Sequence, residues 1–140
     1  MVREATQEDI DQVLEYSTKF LQAFKCPVNL DKHATRVWLE RLIASPNGVV
    51  LMTERGAFGA IAQPKYYDPK ETAAIELFMY AEDGRGLEQI KAFEGWARKQ
   101  GASTTVLANF PTKRAQTLEA LYRRRGYRLM ETAYARPVAG

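Results

Sequence analysis

A chain of 140 residues, 46% hydrophobic and 26% charged, has ordinary globular composition and suits one domain, 1–140, long enough to bury about two-thirds of the surface its unfolded form exposes. No apolar run nears the ~18 residues of a membrane span, and the polar, acidic start MVREATQEDIDQ does not read as a signal peptide, so a cytoplasmic protein is expected. One cysteine, Cys26, excludes an internal disulfide, and one histidine, His33, leaves no Cys/His set for zinc, so no metal is expected.

In chain order, Val2 to Ala5 reads as a short strand, and Thr6 with Asp9 three residues on forms a capping-box pattern. The helix that follows carries Ile10, Val13, Leu14, Ser17, Leu21 and Phe24 at helical spacing and ends near Lys25 before Pro27. A second helix, beginning after Asn29 or Asp31, carries Ala34, Val37, Trp38, Leu42 and Ile43, with Trp38 expected in the core. Ser45-Pro46-Asn47-Gly48 stops it. Gly48 to Glu54 and Ala57 to Gln63 read as a hairpin turning at Glu54-Arg55-Gly56.

A strand from about Thr72 to Ala81 is nearly continuously apolar, as expected when both faces are covered. Glu76 is the one carboxylate inside it. A turn with Gly84 and Gly86 leads to a helix over Leu87 to Gln100 that buries Leu87, Ile90, Phe93 and Ala97 and stops at Gly101. Ser103 to Ala108 reads as a strand ended by Asn109-Phe110-Pro111. Lys113 to Arg125 reads as a helix with Ala115, Leu118, Leu121 and Tyr122 inward, stopping at Gly126. Tyr127 to Met130 and Ala133 to Val138 are the expected last strands. The order β-α-α-β-β-β-α-β-α-β-β implies an α/β fold with helices on both faces of a sheet.

Charge is uneven. Residues 1–83 hold 9 Lys and Arg against 13 Asp and Glu, and residues 84–140 hold 11 against 4, so a half of net −4 precedes a half of net +7. The basic half suits cofactor phosphates, nucleic acid or an acidic partner. No nucleic-acid motif accompanies it, so nucleic acid is not the expected partner.

The element order and three stretches, VREATQEDI, AAIELFMYAEDGRG with AFEGWARKQGA, and LEALYRRRGYRLMETAYARPV, resemble the GNAT family of acetyl-CoA-dependent N-acyltransferases, particularly its short phage and bacterial members. The resemblance implies a central mixed sheet of about seven strands flanked by four helices. It also implies acetyl-CoA as cofactor and an amine acceptor on a small molecule or a protein, and it allows a homodimer. The family's cofactor loop, [QR]-x-x-G-x-[GA], corresponds to Ala81-Glu82-Asp83-Gly84-Arg85-Gly86: both glycines match, Ala81 replaces the Gln or Arg, and Glu82 and Asp83 carry the wrong sign for a diphosphate.

By the same resemblance Gly84, Arg85, Gly86 and Leu87 would meet the diphosphate, Phe78, Met79 and Tyr80 would meet the pantetheine arm through their backbone, and Asn109 would approach that arm. Tyr122, the tyrosine of the LY-x-x-x-G-[FY] helix, would protonate the departing thiolate. Ala115 stands where the family often has asparagine.

Transfer to an amine needs the neutral amine, and at a pKa of about 10.4 only about one lysine-type amine in a thousand is neutral near pH 7. Glu76 is the candidate base, its pKa raised by burial; a solvent-facing or arginine-paired Glu76 is the alternative. Two roles are open to Asp83: part of a loop that admits phosphate, or an N-cap whose carboxylate takes the N–H groups a phosphate needs. The second role leads to an alternative function, a catalytically silent GNAT-like protein serving as a phage structural or host-interaction factor. The acceptor would be recognised by the first two helices and the loop from Pro64 to Pro69, with Tyr66 and Tyr67.

Overall fold

The computed structural model describes residues 1–26 and 30–138. The expected Pro27 break and the Asn29 helix start fall outside the described residues. Strand β1 (Arg3–Glu4) and a short 3-10 turn, Gln7–Asp9, lead into α1 (Ile10–Ala23) and α2 (Lys32–Ala44). Strands β2 (Gly48–Thr53), β3 (Gly56–Lys65) and β4 (Asp68–Ala81) follow, then α3 (Gly86–Lys99), β5 (Thr104–Val106) and α4 (Ala115–Arg124). The strands lie in chain order in one sheet, antiparallel from β1 to β4 and parallel between β4 and β5.

Alternation along the strands sends side chains to two cores. Val49, Leu51, Phe58, Ala60 and Ala74 face α3 and α4, where Ile90, Phe93, Ala97 and Tyr122 meet them. Val50, Met52, Ala57 and Phe78 face α1 and α2, where Val13, Phe20, Leu39 and Leu42 meet them. Trp38 is not core: it is 45% exposed, because α2 docks through Leu39 and Leu42 and Trp38 lies beside that stripe. Leu87 likewise sits at the first turn of α3, 38% exposed, before the helix settles onto the sheet.

One irregularity matters for everything downstream. Gly59 pairs with Phe78 and Ala60 with Glu76, which leaves Leu77 as the extra residue of a β-bulge. Leu77 and Phe78 therefore both turn toward α1, whereas Ala74 and Glu76 keep to the α4 side. Gly59 makes the swap possible, since a Cβ there would meet the Phe78 ring at 2.3 Å. Gly59→Ala is expected to destabilise the fold by about 1–3 kcal/mol through overpacking, read as a lower urea midpoint at unchanged slope.

Among the described residues the sheet has five strands, not seven. Residues Tyr127 to Met130 and Ala133 to Val138 form no ladder, and Leu129, Met130, Tyr134 and Val138 are exposed. The physical reason lies in β5. Its pairing with β4 covers only Ala73↔Thr104, Ala74↔Thr105 and Ile75↔Val106, because the peptide of Ala108 is bonded to side chains instead. An edge three residues long offers a following strand few hydrogen bonds, so a period-2 pattern in the tail has no template. Among the described residues no helix is long and apolar enough to cross a membrane, and no group of His, Cys, Asp or Glu is placed to hold a metal ion.

Candidate functional site

Beyond Ile75 and Val106, β4 and β5 part, and the two candidate catalytic side chains meet in the fork. Ala108 N donates to Glu76 Oε1 at 3.0 Å, and the Tyr122 hydroxyl donates to the Ala108 carbonyl at 3.0 Å. A single peptide unit thus joins a carboxyl from the bulged strand to a phenol from α4. Both side chains are buried.

Burial pushes the Glu76 carboxyl up to about 8, opposed only in part by the Ala108 N–H. Burial also pushes the Tyr122 phenol well above its ordinary value, with the nearby charges of Glu76 and Tyr127 adding to the effect. The solvent-facing or arginine-paired alternative for Glu76 does not occur, since its hydrogen-bond partner is a backbone amide. Across the strand the bulge builds an aromatic floor, in which Phe20 packs against Phe78 at 6.5 Å and edge-on to Phe110 at 4.8 Å. Phe110, which also packs against Phe24 at 4.8 Å, brings the chain leaving β5 across to α1.

The glycine turn lies at the other end of β4. From Glu76 to Ala81 the strand advances five residues, about 17 Å at 3.3 Å each. Gly84 has φ 72°, a conformation natural to glycine, and a Cβ at Gly84 would meet nothing within 4 Å. Gly86 opens α3, and a Cβ there would meet only the Ala81 Cβ at 3.9 Å. Arg85 is the N-cap residue, but no side chain caps the helix. Among the described residues, the backbone N–H groups of Gly86, Leu87 and Glu88 have no acceptor.

Asp83 does not cap α3. Its Oδ2 accepts from Arg55 N at 2.9 Å and its Oδ1 from Arg85 N at 3.1 Å. Burial works to raise its pKa, but these N–H groups and the Thr53 hydroxyl outweigh burial and hold the carboxyl below the usual range. Glu82 is drawn away by Tyr80 Oη at 3.0 Å, by Lys19 Nζ at 3.2 Å and by the Arg55 guanidinium. The acidic pair is thereby engaged by the protein's own donors.

The other expected site residues divide. Phe78, Met79 and Tyr80 lie on β4 past its last pairing with β5, so that edge of the strand has no ladder partner there. The Arg85 side chain pairs with Glu88 at 3.1 Å rather than standing free. Asn109 Nδ2 donates to the Ala115 carbonyl at 2.8 Å, tying the end of the fork to the start of α4. The Tyr66–Tyr67 turn joins β3 to β4, and β4 runs eight residues from Asp68 to Glu76, which keeps the turn far from the fork. Sequence reasoning missed Ala108, which acts only through its backbone, and Thr53 and Gln89, which lie behind Asp83. Gln89 left a trace: at 89, 93 and 96 it shares a buried helical stripe with Phe93 and Trp96.

No family model matches the chain, and no curated protein matches it. Solved structures do. A predicted acetyltransferase from Clostridium acetobutylicum, determined with acetyl-CoA, superposes with a TM-score of 0.75 at 13% identity, covering 96% of this chain and 94% of its own. An aminoglycoside N-acetyltransferase in complex with CoA gives 0.73 at 10% identity, over 99% and 93%. A ribosomal-protein-alanine N-acetyltransferase from Brucella melitensis gives 0.70 at 14% identity, over 99% of both chains. The fold of this chain is therefore that of the GNAT acetyltransferases.

Proposed function

We propose that this chain is an N-acetyltransferase that moves an acetyl group from acetyl-CoA to an amine of a small molecule or a protein. The observation that carries the reading is the Glu76–Ala108–Tyr122 bridge at the fork of β4 and β5, with an uncapped helix N-terminus beyond the Ala81 end of β4. The residues present fit the cofactor. The free N–H groups of Gly86, Leu87 and Glu88 suit a diphosphate, Gly84 and Gly86 let it approach, and the unpaired edge of Phe78 to Tyr80 suits the amides of an extended arm. The bound relatives support the same choice, since one was solved with acetyl-CoA and another with CoA.

Acetyl-CoA supplies the acetyl group as a thioester. An attacking ammonium must first lose a proton, and Glu76 accepts it directly or through water. At about 8 its pKa leaves roughly a tenth of the carboxyl ionised at pH 7 and half at pH 8, a useful range for a base. Tyr122, held high by burial, keeps its proton at working pH. Its hydroxyl, turned from the Ala108 carbonyl toward the departing sulfur, would stabilise negative charge there by donating a hydrogen bond. A thiol pKa of about 8.5 makes complete proton transfer from so weak an acid unfavourable, so as the carbon–nitrogen bond forms and the carbon–sulfur bond breaks the sulfur leaves as thiolate and the second amine proton passes to water.

Calorimetry is the direct test. Acetyl-CoA is expected to bind with a dissociation constant below about 1 mM, the upper end of ordinary enzyme substrates. Absence of heat at that concentration would sink the reading.

A further inference from the structure

We infer that Asp83, backed by Thr53 and Gln89, is a positioning group that keeps the entry to α3 open for a diphosphate rather than a carboxylate that fills that place. The inference rests on the acetyl-CoA reading above and goes beyond it by assigning roles to three residues that touch no cofactor.

Asp83 lies three residues before α3, where a capping carboxylate would reach the first N–H groups of the helix. Instead its oxygens accept from Arg55 N in the β2–β3 turn and from Arg85 N in its own loop, and the nearby Thr53 hydroxyl helps to keep the carboxyl ionised. Behind Thr53 lies Gln89, fully buried in α3. Its Nε2 donates to the Tyr80 carbonyl at 3.2 Å and reaches Thr53 Oγ1 at 3.5 Å. Gly56 gives the amide room, since a Cβ there would sit 2.8 Å from Nε2 and 2.3 Å from the Tyr80 carbonyl.

Gln89 Oε1 is buried and has no hydrogen-bond partner among the described residues. An orphan acceptor of this kind is costly, and a leucine of similar size would fill the space without it. Packing therefore does not explain the glutamine, whereas tying together the end of β4, the β2–β3 turn and the start of α3 does. These three segments converge on the glycine loop, and their fixed spacing keeps the N–H groups of Gly86, Leu87 and Glu88 uncapped.

A positioning role and a competing role predict opposite signs. If Asp83 positions the loop, Asp83→Ala weakens acetyl-CoA binding by about tenfold, the scale of one hydrogen bond to a charged group. Thr53→Val does the same, and Thr53→Ser recovers the affinity. S-acetylpantetheine, which carries the arm without phosphate, binds wild type and variants alike in ligand-observed NMR, so general unfolding is distinguished from a misplaced diphosphate site. Acetyl-CoA binding Asp83→Ala as tightly as wild type, or more tightly, overturns the inference, as does a parallel loss of both ligands in Thr53→Val while its melting temperature is unchanged. Failure of wild type to bind either ligand overturns the acetyltransferase reading itself, before any variant is compared.

Discussion

Glu76→Gln is expected to lower kcat by about 10²–10⁴-fold and to flatten the dependence of rate on pH. Glutamine keeps a carbonyl oxygen for the Ala108 N–H, so the hydrogen bond that shapes the fork survives while the proton acceptor does not. In wild type the rate should climb with pH as Glu76 ionises and level off above about 8. In the variant that climb should vanish. An unchanged profile would remove Glu76 from the chemistry.

The same substitution carries a stability prediction of definite sign. The folded pKa of Glu76, about 8, lies above the unfolded value of about 4.3, so the folded chain binds this proton more tightly. Its contribution is fully present below about pH 4.3, falls as pH rises through that window, and is lost above about 8. Glu76→Gln has no such proton to lose. Relative to wild type it should gain a few kcal/mol between pH 4 and pH 9, measurable as diverging urea midpoints. A carboxyl kept buried thus destabilises the fold at the pH where it ionises.

What could be read from the sequence follows from how local each signal is. Glu76 was legible because one carboxylate interrupts an apolar run, and burial of that run is what moves its pKa. The helices were legible through their period, and the glycines through the turn they permit. Asp83 was not: its position beside α3 left both a cap and an open phosphate loop possible, while the partner that decides between them, Arg55 N, lies 28 residues away in sequence, in the β2–β3 turn. The last strands failed for a related reason. Alternation in the tail describes what a strand would present, but whether an edge awaits it depends on Ala108, whose N–H and carbonyl go to Glu76 and Tyr122. The shortness of β5 and the formation of the fork are thus one structural fact.

That shared peptide decides the second large effect. Tyr122→Phe keeps the ring that packs against Tyr127 at a centroid distance of 6.1 Å, so the fold should lose only about 1 kcal/mol, whereas Tyr122→Ala should lose about 3–5 kcal/mol by leaving a cavity. For activity, Tyr122→Phe is expected to lower kcat about a hundredfold while acetyl-CoA affinity stays within about twofold, because in the proposed reaction the hydroxyl would act on the departing sulfur and not on the diphosphate. Burial holds the phenol protonated across the working range, so its removal should displace the pH profile downward at every pH and leave the rise to about 8 in place. A profile that changes shape would mean that Tyr122 itself titrates in the reaction. Since Glu76 and Tyr122 grip the same Ala108 peptide, freeing one end loosens the other. The double variant Glu76→Gln/Tyr122→Phe should therefore lose less than the product of the two single losses, and strict multiplicativity would show that the two side chains act independently of the peptide that joins them.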